Sequence, residues 1–271
     1  MLILFHKSDL DGHASGAILK YKYPEAKTFG MNYGDPLPEI IIGEQVFMVD
    51  FSLPTKEMDT LSSRCNLVWI DHHKSAMEVV DPAIPGLRKI GLGACSLVWQ
   101  YCEFDRMVPY AVMLLSEHDV WIHDNPDTLP FQYGLRMEDT QPGAPIWEML
   151  LSGNSDAITD QIIKTGKVVL EYQIQSNTMY AESATFETEL AGFRVIAQNK
   201  MLSNSQAFDS VFDPEKHDIM ALFGWRHGQW SVSLYSAETG PDVSKIAVQY
   251  GGGGHAQAAG FGCDTLPFEL K

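Results

Sequence analysis

Carboxylates and imidazoles recur in this 271-residue chain at the points where short apolar runs end. HKSDLD supplies His6, Asp9 and Asp11; FMVDFS supplies Asp50; WIDHH supplies Asp71, His72 and His73. Four or five carboxylates gathered into one small site repel one another strongly, so something cationic must offset them. Lysine is scarce nearby, with only Lys7 and Lys74 close in sequence, and metal ions are the natural counter-charge. Carboxylate oxygens mixed with imidazole nitrogens suit manganese, or cobalt, iron or zinc; a site for magnesium alone usually avoids histidine. Taken singly, the fragments have ordinary explanations. Asp-x-Asp before glycine serves as a loop or helix cap, and a lone aspartate closing a strand forms a turn. Two adjacent imidazoles straight after an apolar strand have little packing logic, and the whole set points to a metal centre.

Such groups need elements that aim them at one place. The first half of the chain alternates short apolar runs with helical patterns, which predicts an α/β domain with a largely parallel sheet. Met1–His6, Gln45–Phe51 and Asn66–Asp71 read as strands, and Gly12–Tyr21, Pro54–Arg64, Gly93–Glu103 and Val108–His118 as helices. In open α/β sheets the carboxyl ends of the strands line the ligand crevice, and here those ends carry the three clusters. A helical pattern over about 155–183 predicts a connecting helix. Beyond it, Phe193–Asn199, Asp218–Trp225 and Gln229–Ser236 read as strands and Asp242–Tyr250 as a helix. The expected division is a catalytic domain over 1–183, including that helix, and a smaller α/β domain with a mixed sheet over 184–271.

Hydrophobic residues make up 45% and aromatics 11% of the chain, enough for full cores and against disorder. The formal charge of −16, from 19 Lys+Arg against 35 Asp+Glu, argues against gripping long nucleic acid, which needs a basic footprint. Short anionic substrates remain open, because bound metal supplies positive charge locally. Cys65, Cys95, Cys102 and Cys263 show no CxxC spacing, so free thiols in a reducing cytosol are expected. Five apolar residues precede His6, too few for a signal-peptide core. No later run suits a membrane span, and the expected location is the cytoplasm.

A second feature with chemical meaning is the run Gly251–Gly254, followed by His255 and the small residues Ala256, Ala258, Ala259 and Gly260. Successive glycines let backbone N–H groups converge on an anion. A helix beginning just after them would add its positive end, and His255 would complete a phosphate cradle with Gly252, Gly253 and Gly254.

The order HKSDLD, VDFS, IDHH, SEHDVW and finally GGGGHAQAAGF resembles the DHH phosphoesterase superfamily with its DHH-associated C-terminal domain, over nearly the whole chain. The resemblance implies a catalytic and a substrate-binding domain facing each other across a cleft. It implies two divalent cations, manganese foremost with magnesium or cobalt as alternatives. His6, Asp9 and Asp50 would hold one, and Asp11, Asp50, His72 and Asp119 the other, with Asp50 bridging. In the same stretch as Asp119, Glu117, His118 and Asp124 compete for its place. Asp71 would orient an imidazole, and His73 would face the substrate phosphate or the leaving oxygen, completing a catalytic set with Asp50. The glycine run is implied to meet the substrate's phosphate. Relatives commonly carry an arginine in the strand before it, where this chain has Tyr235 in Ser233-Leu234-Tyr235-Ser236. A tyrosine cannot form the bidentate arginine fork, and Arg226 in GWRH is a candidate substitute. Asn199 and Ser205 lie in a stretch like the family's substrate loops.

The spacing around SEHDVW looks most like the oligoribonuclease-like branch, so hydrolysis of short oligonucleotides or a related nucleotide phosphoester is expected. Other members of the superfamily act on polyphosphate, pyrophosphate, adenosine bisphosphate or cyclic dinucleotides, and an inactive phosphate sensor is the non-enzymatic alternative. The expected partner is a short oligonucleotide or small phosphorylated molecule, with no long duplex and no membrane, and with a homodimer allowed for. Among the aromatics, Trp121, Tyr133, Phe208, Trp225 and Tyr235 are candidates to stack on bases.

Overall fold

The computed structural model describes residues 1–122 and 124–271, which form two compact units, Met1–Leu170 and Glu171–Lys271. In chain order the first unit contains β1 (Leu2–His6), α1 (Leu10–Lys22), β2 (Lys27–Met31), β3 (Gln45–Val49), α2 (Thr55–Arg64), β4 (Asn66–Ile70), α3 (Lys74–Val79), α4 (Ala94–Tyr101), α5 (Tyr110–Asp119), α6 (Thr128–Leu135) and α7 (Pro145–Leu150). The helix α8 (Asp156–Ala184) begins in this unit and ends in the second, so the division falls inside it.

The four strands form a parallel sheet in the order β2-β1-β3-β4. Successive side chains on a strand point to opposite faces, and both faces are buried here. Ile3, Phe5, Phe47, Val49, Val68 and Ile70 join a core with α1, α4, α5, α6 and α7. Leu2, Leu4, Val46, Met48, Leu67 and Trp69 join a second core with Met58 and Leu61 of α2. Burial on two sides is why β1, β3 and β4 read as unbroken apolar runs rather than alternating ones. The edge strand β2 has no such signature: its sequence KTFGM is exposed at Lys27 and Phe29, and the apolar pattern predicts no strand there.

The second unit adds β5 (Thr185–Leu190), β6 (Phe193–Asn199), β7 (Ile219–Arg226), β8 (Gln229–Tyr235), α9 (Val243–Gln249), β9 (Gly253–Gly254) and β10 (Ala258–Cys263). They form a mixed sheet in the order β5-β6-β7-β8-β10-β9, parallel only between β6 and β7. One face packs on α9 through Val195, Ala221, Phe223, Leu234, Ile246 and Ala247. The other buries Ile196, Met220 and Leu222 under the short turn that carries Ala207 and Phe208. The fold class expected from the sequence, a parallel-sheet α/β domain plus a smaller mixed-sheet domain, is the one observed. No described helix is long and apolar enough to cross a membrane.

Gly166, the single interruption in the α8 pattern, has a packing reason. A methyl group at position 166 would lie 1.7 Å from the Pro130 carbonyl oxygen, and one at Gly134 would lie 2.0 Å from the Ile162 carbonyl oxygen. The backbones of α6 and α8 therefore touch directly. In an open helix Gly→Ala stabilises by about 1 kcal/mol; here the overpacking cost, typically about 1–3 kcal/mol, wins. Gly166→Ala is expected to lower the urea midpoint of unfolding, and a raised midpoint would show that the two helices do not meet at this point.

Candidate metal centre

Each acidic cluster leaves the sheet at the carboxyl end of a strand. β1 ends on His6, and the next turn delivers Asp9, which caps α1 by accepting from the Gly12 N–H at 2.8 Å. That cap starts α1 at Leu10, earlier than the pattern suggested, and sets Asp11 in its first turn. The chain leaves β3 through Asp50, whose N–H donates to the Ile70 carbonyl at 3.0 Å and whose φ is +64°. Aspartate is among the few non-glycine residues found with any frequency in this left-handed region. β4 runs straight into Asp71, His72 and His73, and Asp119 closes α5.

The ligand atoms converge in three overlapping groups, each with its members within 4.8 Å of one another: His6, Asp9 and Asp50; Asp11, His72 and Asp119; and Asp50, Asp71, His72 and His73. His6 Nδ1 stands 2.8 Å from Asp9 Oδ2 and 3.6 Å from Asp50 Oδ2. His72 Nε2 stands 3.3 Å from Asp50 Oδ1, 3.1 Å from Asp119 Oδ2 and 3.9 Å from Asp11 Oδ2. Asp50 thus presents one oxygen to each histidine. Among the described residues, both of its oxygens are buried without a hydrogen-bond partner. Buried polar atoms are seldom left so, and hard oxygens facing imidazole nitrogens at these spacings form a donor set that fits divalent cations.

Electrostatics agree with the geometry. Burial, then the charges of Asp11, Asp9, Asp119 and Asp71, push the Asp50 carboxyl well above the usual carboxylate range. Burial, followed by Asp11, Asp9 and Asp71, does the same to Asp119. Asp11 is raised by burial, against the pull of His72 and of the Cys95 amide. Burial lowers His72. For Asp9, burial is outweighed by His6 and the Gly12 amide, and its carboxyl is lowered.

Two carboxylates are also tied to the protein. Asp11 accepts the N–H groups of Ala94 at 2.5 Å and Cys95 at 2.8 Å, the first amides of α4. Asp71, fully buried, accepts from the Trp69 indole at 3.2 Å, from the His72 and His73 amides at 2.7 and 3.2 Å, and lies 2.7 Å from His73 Nδ1. Burial depresses the His73 imidazole, but the Asp71 contact outweighs it and the net shift is upward. Of the competitors to Asp119, Glu117 is spent on the Asn125 N–H and the Thr128 hydroxyl, and Asp124 is exposed. The His118 ring meets Trp121 edge-to-face.

The structure adds two neighbours that sequence reasoning passed over. His13 braces the turn after β1: its Nε2 donates to the Lys7 carbonyl at 3.2 Å, and its Nδ1 lies 2.8 Å from the Thr140 hydroxyl. Tyr33 follows β2 and meets the His6 ring edge-to-face, with centroids 5.8 Å apart. The signal for it was a turn sequence, Asn32-Tyr33-Gly34-Asp35, but it is legible as part of the site only once β2 is known to lie beside β1.

The candidates in the second unit are arranged differently from expectation. The glycine run is a helix end and a hairpin, and of the two continuations open to it, helix or strand, it takes the strand, β10. Gly251, at φ +78°, and Gly252 donate to Val248 and Ala247 and close α9. Gly253 and Gly254 pair with Gly260 and Ala259 of β10, and the His255 N–H donates to Ala258 at 2.8 Å. The amides of Gly252 and His255 are therefore engaged by backbone carbonyls, and a cradle of consecutive open amides does not form. Tyr235 pairs with Ala258 beside this hairpin; its ring packs against the Met220 and Phe208 cluster, and its hydroxyl donates to the Ser203 carbonyl at 3.4 Å. Arg226 does not lie beside Tyr235. It pairs with Gln229 at the far end of β8, six residues and roughly 20 Å along the strand. Asn199 ends β6 with its side chain exposed and its carbonyl accepting the Tyr180 hydroxyl.

No family model matches the chain. It is 26% identical over 314 aligned positions to the uncharacterized protein R106 of Acanthamoeba polyphaga mimivirus, covering 99% of this chain and 69% of that protein. Its structure is similar to that of the pGpG-specific phosphodiesterase PggH from Vibrio cholerae, at 13% identity, with 96% and 92% of the two chains covered and a TM-score of 0.55. It is also similar to the DHH domain of a member of a ribosomal-protein family, at 15% identity, 96% and 82% coverage and a TM-score of 0.58. At such identities the likeness is one of fold, and the fold is that of a DHH domain.

The raised carboxyls fix the sign of a pH effect. Above the unfolded carboxylate pKa of about 4, the metal-free folded chain holds more protons on Asp11, Asp50 and Asp119 than the unfolded chain does, so its stability declines as pH climbs through the raised folded values. His72 and His73 shift in opposite senses and offset one another. With chelator present, the melting temperature is expected to fall from pH 5 to pH 8, and manganese is expected to raise it, more at pH 8. Asp50→Asn, which keeps the shape and tolerates the positive φ, should show a shallower decline and lose most of the manganese response. A wild-type melt indifferent to both pH and manganese would remove the metal centre.

Proposed function

We propose that this centre hydrolyses a phosphodiester in a short oligonucleotide or a closely related nucleotidyl phosphoester, with two divalent cations, manganese foremost. The observation that carries the reading is Asp50, a buried carboxylate with both oxygens unpartnered between His6–Asp9 on one side and Asp11–His72–Asp119 on the other. Bound there, the ions would supply a hydroxide at neutral pH and positive charge beside the phosphoryl oxygens. Asp71 fixes the His73 ring through Nδ1 and favours its protonated form, which suits His73 to hold a proton for the leaving oxygen. Its own oxygens are filled by donors, so Asp71 acts by orienting rather than by ligating. No side-chain nucleophile is needed.

The charge of −16 favours small substrates, because a few phosphates can be met by metal while a long polyanion is repelled. A pGpG-specific phosphodiesterase with the same fold supports a dinucleotide as the class to try first. In the second unit, Gly253, Gly254, His255 and Tyr235 stay together as candidate substrate contacts, whereas Arg226 does not join them.

In manganese buffer, labelled dinucleotides including pGpG should be cleaved faster than a long RNA, adenosine bisphosphate, a cyclic dinucleotide or polyphosphate, and chelator should abolish the activity. Release of phosphate from polyphosphate alone would overturn the reading. His73→Gln is expected to lower kcat on the best substrate about a hundredfold with little change in KM; an unchanged kcat would take His73 out of the reaction.

A further inference from the structure

The Asn32–Asp35 turn is fastened to the metal-bearing segment at several points. The Lys7 N–H donates to the Met31 carbonyl at 3.0 Å, and the Lys7 ammonium reaches Asp35 Oδ2 at 2.5 Å. The Ser8 hydroxyl donates to Asn32 Oδ1 at 2.6 Å. Within the turn, the Asp35 N–H donates to the Asn32 carbonyl at 3.1 Å, and the Asn32 N–H donates to Asp35 Oδ2 at 2.9 Å. Gly34, at φ +86°, gives the positive φ that a type II turn requires at its third position. Lys7 and Ser8 are the residues between His6 and Asp9, so the turn and the ligand-bearing loop form one braced unit.

The residue this brace holds out is Tyr33. The residue is 61% exposed, yet its ring meets the His6 imidazole edge-to-face. The His6 ring that it meets stands beside Asp9 and Asp50, which sets Tyr33 at the edge of the centre. A large aromatic left open gains little for stability, and the five hydrogen bonds or ion pairs spent on its turn call for another reason. A nucleobase lies one ribose away from the phosphate being cut, and an aromatic face at that point offers stacking that tolerates any base.

We infer that Tyr33 is a specificity residue, a platform on which a base of a nucleotidyl substrate stacks while its phosphate occupies the centre. This rests on the phosphodiester reading above and names the part of the substrate recognised beside the metals. The test compares wild type, Tyr33→Ala and Tyr33→Phe on pApA and on the same dinucleotide built from abasic ribose. Stacking on one base is worth about tenfold or more. The ratio of kcat/KM for pApA over its abasic counterpart is expected to fall about tenfold in Tyr33→Ala, through KM, and to recover in Tyr33→Phe. An unchanged ratio in Tyr33→Ala, an equal loss on both substrates, or a failure of phenylalanine to recover the ratio would each overturn the platform while leaving the phosphodiesterase intact. A wild-type protein that cleaves neither dinucleotide would overturn the phosphodiester reading and the platform with it.

Discussion

Crowding of negative charge is the constraint around which the first unit is built. Asp9, Asp11, Asp50, Asp71 and Asp119 share a small, largely buried volume with three histidines. Each carboxylate is relieved differently. Asp71 receives an indole and two amides, Asp11 receives the opening amides of α4, and Asp9 caps α1. Asp119 faces His72. Asp50, held in a left-handed backbone conformation, has no donor among the described residues, and its two oxygens face the two imidazoles. The carboxylates around it are met by amides and rings of the fold, and the central one is not.

Much of this was legible in the sequence because a parallel sheet buried on both faces writes its strands as unbroken apolar runs. β1, β3 and β4 were visible for that reason, and the acidic clusters stood at their carboxyl ends. β2 was not, since an edge strand with a lysine, a glycine and an exposed phenylalanine carries no such mark. Missing it hid Tyr33, because nothing in the spacing of residue 33 ties it to His6 except the pairing of β1 with β2. The bracing histidine at 13 was hidden similarly: its partner Thr140 lies 127 residues away.

The second unit shows where composition misleads. Four glycines in a row announce positive φ or close backbone approach, but not what approaches. Here the approaching groups are the last carbonyls of α9 and the neighbouring strand β10: a side chain on Gly252 would strike the Gly260 carbonyl at 2.1 Å, and one on Gly254 the Ala258 carbonyl at 2.6 Å. Anion binding and hairpin closure ask for the same residue, and only the pairing register separates them. The same register separates Arg226 from Tyr235: nine residues earlier in the sequence, it stands at the opposite end of the hairpin.

The conformation of Asp50 bears on how this chain drifts over generations. At φ +64° most side chains are strained, and the inexpensive occupants are glycine, asparagine and aspartate. Two of the three codon families that folding permits would therefore erase the central charge and leave an intact, well-behaved protein. A lineage that no longer needs the central charge can lose it here without straining the backbone, and a single letter at position 50 would tell such copies apart.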